Sequence, residues 1–436
     1  MYRQYIKLSL FLILLAWSFL FLFFDDLIYG VISLLLLTLC ALIISNLELN
    51  HPLTWFAPAY FLYSSSLSIL TLFNEVDMRF NIKETVQLEW IGLFCIILIF
   101  LIPFLKNEEN LSINMNQKEI IKIKDLGFIT RPIYLFSILI LILYLGYVYA
   151  NGLSTKRMIA LDESGIHSLR LFIPIYVLCF VLLVIEKLII NNKFPLYFYA
   201  FNLLFAMSIL LVIGERDVLL RVLIVVLFLT HLLYKKFKKL YIILLALCGL
   251  ITLPILGKLK SALFDTQTNG EENSILYNLL SGEFYSASRN LNTLLNNIGE
   301  WEFFFGKTFL YDIERAFFNG DRSPVVWFNN TFHPEVVEAG GGYGFSIMGE
   351  GYINFGVLGL IIVAAILGFI LKFLYYSSQK SLIWLLIYIT AVPIFIYLIR
   401  ADFANLLSQV LKQIIFPIAI LLVTKEILRK ATENKS

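Results

Sequence analysis

The chain has 436 residues, 59% of them hydrophobic and 15% charged, with a mean hydropathy of +0.82. A soluble globular domain does not need that much apolar surface, whereas a polytopic membrane protein does. The net charge of +3 carries no nucleic-acid signal, and Cys40, Cys95, Cys179 and Cys248 all sit in apolar runs, which argues against a disulfide framework or a metal cluster.

Apolar runs of spanning length begin near Leu8, Leu27, Pro52, Leu88, Pro132, Leu171, Phe194, Val218, Leu240, Tyr343, Leu382 and Leu406, roughly twelve in all. The first ends in Phe-Asp-Asp (Asp25 and Asp26) without a small-residue cleavage pattern, so it reads as an uncleaved helix followed by a hairpin turn. Two connections are long. One runs from Lys106 to Arg131; the other runs from Lys258 to Gly342, roughly eighty residues, and is too long for an ordinary loop. The chain thus divides into helices 1–9 (1–257), a large external loop (258–342), and helices 10–12 with a tail (343–436).

Lysines near helix ends orient the bundle. With both termini inside, Lys235 to Lys239, Lys372, Lys380 and the tail lysines fall inside. The large loop, "GERD" (Gly214 to Asp217) and "RADFAN" (Arg400 to Asn405) then fall outside together. On this topology roughly sixteen of the 22 lysines are inside and roughly nine of the 12 arginines outside, against the usual bias. Arginine offers a planar fork suited to phosphate and carboxylate oxygens. Arg216, Arg221 and Arg400 lie at or within a turn of the membrane surface, where an unpaired charge is costly, and an anionic ligand there accounts for them. Local pairing with Glu215 and Asp217 is the competing explanation for the first two.

Asn405, Gln409 and Lys412 recur on one face of the last helix, with Gln413 beside them, and predict a polar cavity opening beside Arg400. The large loop is crowded with aromatics, among them Trp301, Phe303, Phe304, Phe305, Trp327 and Phe328, suited to the membrane interface or to sugar rings. His333 is its only histidine. The stretch "GGYGFSIMGEGYINFGVLGLI" then carries Glu350, Tyr352 and Asn354 toward a membrane helix, with Gly356 and Gly359 read as helix-packing positions. Glu350 is either an acid favoured by the helix dipole or a group facing a site.

This stretch resembles the segment after the large external loop in the Wzy-type O-antigen polymerase, or oligosaccharide repeat-unit polymerase, family. "GERDVLLRVLIVVLF" is similar to that family's Gly-x-Arg opening of a middle helix, and the helix pattern is shared. The resemblance implies an all-α polytopic membrane fold of about 12 helices, GT-C-like, in the bacterial cytoplasmic membrane. It also implies a metal-independent glycosyltransferase without a cofactor, joining polyprenyl-diphosphate-linked oligosaccharides, with a flippase and a chain-length regulator as partners. In that chemistry Arg216 and Arg400 grip the leaving diphosphate, with Arg221 supporting. Glu350 or His333 is the general base, and Asn354, Tyr352, Lys412 and Gln409 contact substrate. A ligase-type transferase and a lipid-linked oligosaccharide flippase are the alternative readings.

Overall fold

The computed structural model describes residues 2–77, 80–102, 117–153, 158–159, 162, 164–190, 194–249, 274–281, 284–318, 322–338 and 342–433. All regular structure among them is helical. In chain order the helices are α1 (Tyr2–Phe21), α2 (Leu27–Ile44), α3 (Pro52–Leu72), α4 (Ile82–Leu101), α5 (Gln117–Ala150), α6 (Phe172–Ile190), α7 (Leu196–Ile213) and α8 (Arg216–Leu229). There follow α9 (Lys239–Gly249), α10 (Ile275–Leu280), α11 (Tyr285–Asn296), α12 (Lys307–Phe318), α13 (Pro324–Phe332) and α14 (Pro334–Glu338). The chain closes with α15 (Ile347–Ser378), α16 (Leu382–Leu398), α17 (Phe403–Val410) and α18 (Phe416–Glu433).

Eight helical spans among the described residues are long and apolar enough to cross a membrane, and three shorter apolar helices accompany them. The expected twelve are therefore matched in part: α3, a 21-residue helix, carries four serines and stays outside that group of eight. The Lys106–Arg131 connection is helical from Gln117 onward, because Pro132 is accommodated within α5. Of the expected 258–342 loop, residues 258–273, 282–283, 319–321 and 339–341 lie outside the described residues; the described ones carry a series of short helices, α10 to α14.

Helix starts are written in the sequence. Asp26, Ser323, Ser346, Ser381 and Asp402 each accept from a backbone N–H in the first turn of the following helix. Buried Lys372 closes the other end of α4, donating to the carbonyls of Ile99 and Ile102, where a cation is favoured by the dipole. The aromatics of the connecting segment are not all surface anchors. Phe328 and Phe345 pack with Leu294 and Ile353 into a second small core, against which Trp301, Phe304, Trp327 and Phe332 rest. Phe303, Phe305, Phe317 and Phe318 remain exposed.

One break organises the rest. Within α15, Phe355 and Gly356 leave helical geometry, Gly356 at φ 61°, ψ −144°, a region open essentially to glycine. The chain doubles back so tightly that a Cβ on Gly351 would stand 2.8 Å from the Gly359 carbonyl oxygen. Gly356 is thus a hinge rather than a packing position, while Gly359 does serve close approach. Glu350 belongs to a short half-helix ahead of the break, and the long apolar helix starts after it.

Candidate active site

The half-helix Ile347–Asn354 aims Glu350 and Asn354, one turn apart, at the same neighbours. Glu350 is fully buried. Its Oε1 accepts from the Thr308 hydroxyl at 3.0 Å and its Oε2 from the Phe403 backbone N–H at 2.8 Å. The Asn354 amide donates to Thr308 Oγ1 at 2.6 Å, and its Oδ1 accepts from the Gly306 N–H at 2.8 Å. The Thr308 hydroxyl therefore donates to one partner and accepts from the other, as a single hydroxyl can.

Asp312, one turn further along α12, accepts from the Ala404 N–H at 3.0 Å, and Asp402 accepts from the Asn405 N–H at 2.9 Å. Three successive N–H groups at the start of α17 thus meet three carboxylates, two of which come from elsewhere in the chain. The first turn of a helix leaves these donors without intrahelical partners and is electropositive, so acids settle there. Burial pushes the Asp312 carboxyl up to about 7; the neighbouring Glu350 side chain, the Ala404 N–H and Arg315 oppose this, and the Asp402 charge adds to it.

Arg400 sits in the turn just before this capped helix. Its carbonyl backs onto Gly344, where a Cβ would stand 2.7 Å from it, and its guanidinium lies over the Tyr397 ring. Gly344 is held from its other side by the Asn290 amide, and Asn329 brackets Tyr343, accepting from its N–H at 2.7 Å and donating to its carbonyl at 2.9 Å. His333 lies in the same cluster. Its Nε2 is 3.2 Å from Arg289 Nη2, its ring meets Tyr343 edge-on, and its Nδ1 is 3.7 Å from Glu335. Burial and the adjacent Arg289 charge hold the imidazole below its usual value.

The other arginines lie at the α7–α8 corner. Gly214, at φ 75°, ends α7. Glu215 pairs with Arg170, and Asp217 pairs with Arg221 at 2.5 Å one turn on. Arg216 opens α8 and is half-buried. Arg221 is buried and lines a narrow crevice with Val225, Ile389, Thr390, Pro393 and Gln413. Further along, Phe228 and Leu232 share a second crevice with Leu385 and Ile389, so α8 and α16 run antiparallel. Arg216, at the start of α8, and Arg400, just past the end of α16, therefore stand at the same end of the bundle.

The polar stripe of the last helix is shifted from its expected face. A π-helical turn at Leu411–Ile415 adds a residue to the register, so Gln413, bonded to Gln409 at 3.2 Å, reaches the Arg221 crevice. Lys412 is exposed. Tyr352 packs beneath Trp301. Sequence reasoning missed Thr308, Asp312 and Arg289. Nothing local marks the first two, whose partners lie about 40–90 positions away; Arg289 was visible among the outward arginines but sits on a helix with no motif.

A bundle of membrane-spanning helices joined by a helical connecting segment defines a multi-pass membrane protein. The family model for O-antigen polysaccharide polymerase Wzy matches residues 5–431, and the chain belongs to that family. It is accordingly a polysaccharide-polymerising membrane enzyme. No curated protein and no solved structure matches the chain.

Proposed function

We propose that the protein joins oligosaccharide repeat units carried on a polyprenyl diphosphate, at the outer face of the bacterial cytoplasmic membrane. The observation that supports this reading is the common placement of Arg216 and Arg400. Antiparallel packing of α8 and α16 sets both at the end covered by the connecting segment, which the lysine bias puts outside. The acceptor hydroxyl attacks the anomeric carbon of the donor sugar, and polyprenyl diphosphate leaves. Arg216 and Arg400 receive its charge with fixed donors, Arg221 supporting from the crevice, so that no metal ion is needed to hold it.

Of the two candidate bases, His333 is the one a sugar can reach. Its side chain is 15% exposed, whereas both Glu350 oxygens are engaged in the interior. An Arg289 N–H directed at Nε2 occupies that lone pair, so proton transfer requires this bond to open. Glu350 and Asn354 hold the Arg400 turn, Tyr352 packs, and Gln413, bonded to Gln409, lines the crevice beside Arg221. Both termini are cytoplasmic in this account. Thiol labelling of single cysteines placed in α12 and α13 tests the sidedness: labelling from outside intact cells is expected, and protection there with labelling only in inverted vesicles defeats the proposal.

A further inference from the structure

The end of α8 away from Arg216 runs into the lysine-rich stretch Lys235 to Lys239, which takes no part in the candidate active site. Between Arg216 and Tyr234 the helical span rises roughly 27 Å, close to the ~30 Å of a bilayer's hydrocarbon core. The lysines therefore stand at the opposite membrane face from the arginines, the face that the lysine bias puts inside. A π-helical turn at Thr230–Tyr234 ends the helix. Buried His231 then accepts from the Phe237 N–H at 2.9 Å through Nδ1. This bond clips the lysine stretch back against α8 and leaves Nε2 to carry the proton of the neutral ring.

The clipped stretch closes a cavity of about 310 Å³ against the turn between α2 and α3. Lys236, Lys239 and His231 line it from α8 onward, and Asn46, Glu48 and Asn50 line it from the turn. Asn46 is itself held by Lys7 of α1. Among the described residues neither cavity lysine forms an ion pair, with Glu48 or with any other carboxylate. Two like charges beside one space repel each other unless an anion lies between them. The rest of the wall is apolar, from Leu47, Leu232 and Phe237. Beyond it α9 starts at Lys239, with Leu240, Tyr241, Leu244 and Leu247 exposed. A soluble anion makes no use of that apolar surface, whereas a lipid does. Two lysines against one glutamate leave one positive charge to be met. A carboxylate tolerates an anion beside it where that anion also brings a hydroxyl to donate.

We propose that this cavity holds the headgroup of an anionic, hydroxyl-bearing phosphodiester lipid of the inner leaflet. Lys236 and Lys239 meet the phosphate, Glu48 accepts from a headgroup hydroxyl, and the acyl chains lie along α9. An anionic cytoplasmic leaflet draws basic segments placed in this way. The ligand is a lipid of the surrounding membrane, so the site is independent of the polymerase reading.

The test is thermal unfolding of the purified full chain in detergent. The probes are phosphatidylglycerol, phosphatidylethanolamine with the same acyl chains, and inorganic phosphate at matched ionic strength. Phosphatidylglycerol is expected to raise the Tm by about 2 °C or more, and the other two to leave it unchanged. An equal rise with phosphatidylethanolamine would mean general solvation by lipid, an equal rise with phosphate a site for soluble anions, and either overturns the proposal, as does no rise at all. Lys236→Gln combined with Lys239→Gln should abolish the rise without lowering the lipid-free Tm, because both side chains are exposed. Lys235→Gln combined with Lys238→Gln removes the same charge from the same stretch but not from the cavity wall, and should keep the rise. Loss in both pairs alike would reduce the effect to diffuse attraction, and a rise kept in the Lys236 and Lys239 pair would empty the cavity of its role. Should that pair not fold, Lys236→Gln alone decides: about fivefold more phosphatidylglycerol for half the shift is expected, and an unchanged amount overturns the site. No turnover is measured, so these outcomes are separate from whether glycans lengthen.

Discussion

Glu350 and Phe403, 53 positions apart in the chain, are joined by one bond from the Phe403 N–H to the Glu350 carboxylate at 2.8 Å. Through it the half-helix before the Gly356 break holds the first turn of α17, and with it the Arg400 turn. A carboxylate at the mouth of a membrane helix thus serves as a fastening between two segments of the chain that both carry candidate site residues.

Removing the donor side of that fastening should be informative. Thr308→Val deletes the hydroxyl that links Glu350 to Asn354 and leaves two buried polar groups unsatisfied, at about 1–3 kcal/mol each. Shorter polymer is expected from cells carrying it, and Glu350→Gln should act more strongly, since Gln offers one acceptor where Glu offers two. Normal chain lengths from Glu350→Gln at matched protein level would remove Glu350 from any role in the site.

Asp312, which caps Ala404 in the same turn, makes the fastening pH-dependent. The Asp312 carboxyl is raised in the folded protein, to about 7 from its ordinary 3.8, so folding favours the protonated form. Stability from this group is therefore present at acid pH and lost as pH rises through about 7. Glu350, Asp402 and Arg315 are the charged groups facing it. Unfolding temperatures of the purified protein should fall from about pH 4 to about pH 7 and level off above it, and Asp312→Asn should flatten that slope. An equal slope in the variant would assign the pH dependence elsewhere.

The arginine mechanism predicts a lysine-sensitive site. The two acids flanking Arg216 are engaged by Arg170 and Arg221, so a turn held by pairing would tolerate lysine at 216. A diphosphate gripped by a fork would not. Arg216→Lys and Arg400→Lys should each lose about 2–4 kcal/mol of transition-state stabilisation, read as shortened polymer with expression unchanged. Wild-type polymer from both would return the arginines to turn chemistry.

Gly356→Ala tests the hinge. Its backbone conformation costs an alanine about 1–3 kcal/mol, although the nearest atoms, on Phe303, leave space at 3.7 Å. A lower unfolding temperature with reduced polymer is expected, and an unaffected variant would argue against the break.

The helices and their order were legible because twenty-odd apolar residues in a row have few other uses. The convergence of Arg216 and Arg400 on one face was legible from lysine placement, and α8–α16 packing agrees with it. What sequence could not supply were relations set by long-range folding: Asp312 capping Ala404, and the backbone of Gly344 meeting Arg400. Periodicity also misplaced the last polar stripe, since it assumes an unbroken α-helix and the π turn at Leu411–Ile415 moves Gln413 to where Lys412 was expected.

The central claim is that this chain lengthens lipid-linked glycans using outward-facing arginines. Its most direct test is purified protein in liposomes supplied only with polyprenyl-diphosphate-linked repeat units, with products resolved by size. The account predicts a ladder of lengthened glycans with one polyprenyl diphosphate released per added unit, and loss of that ladder in Arg400→Lys. Repeat units that stay single in the presence of folded wild-type protein, or an undiminished ladder from Arg400→Lys, would contradict it.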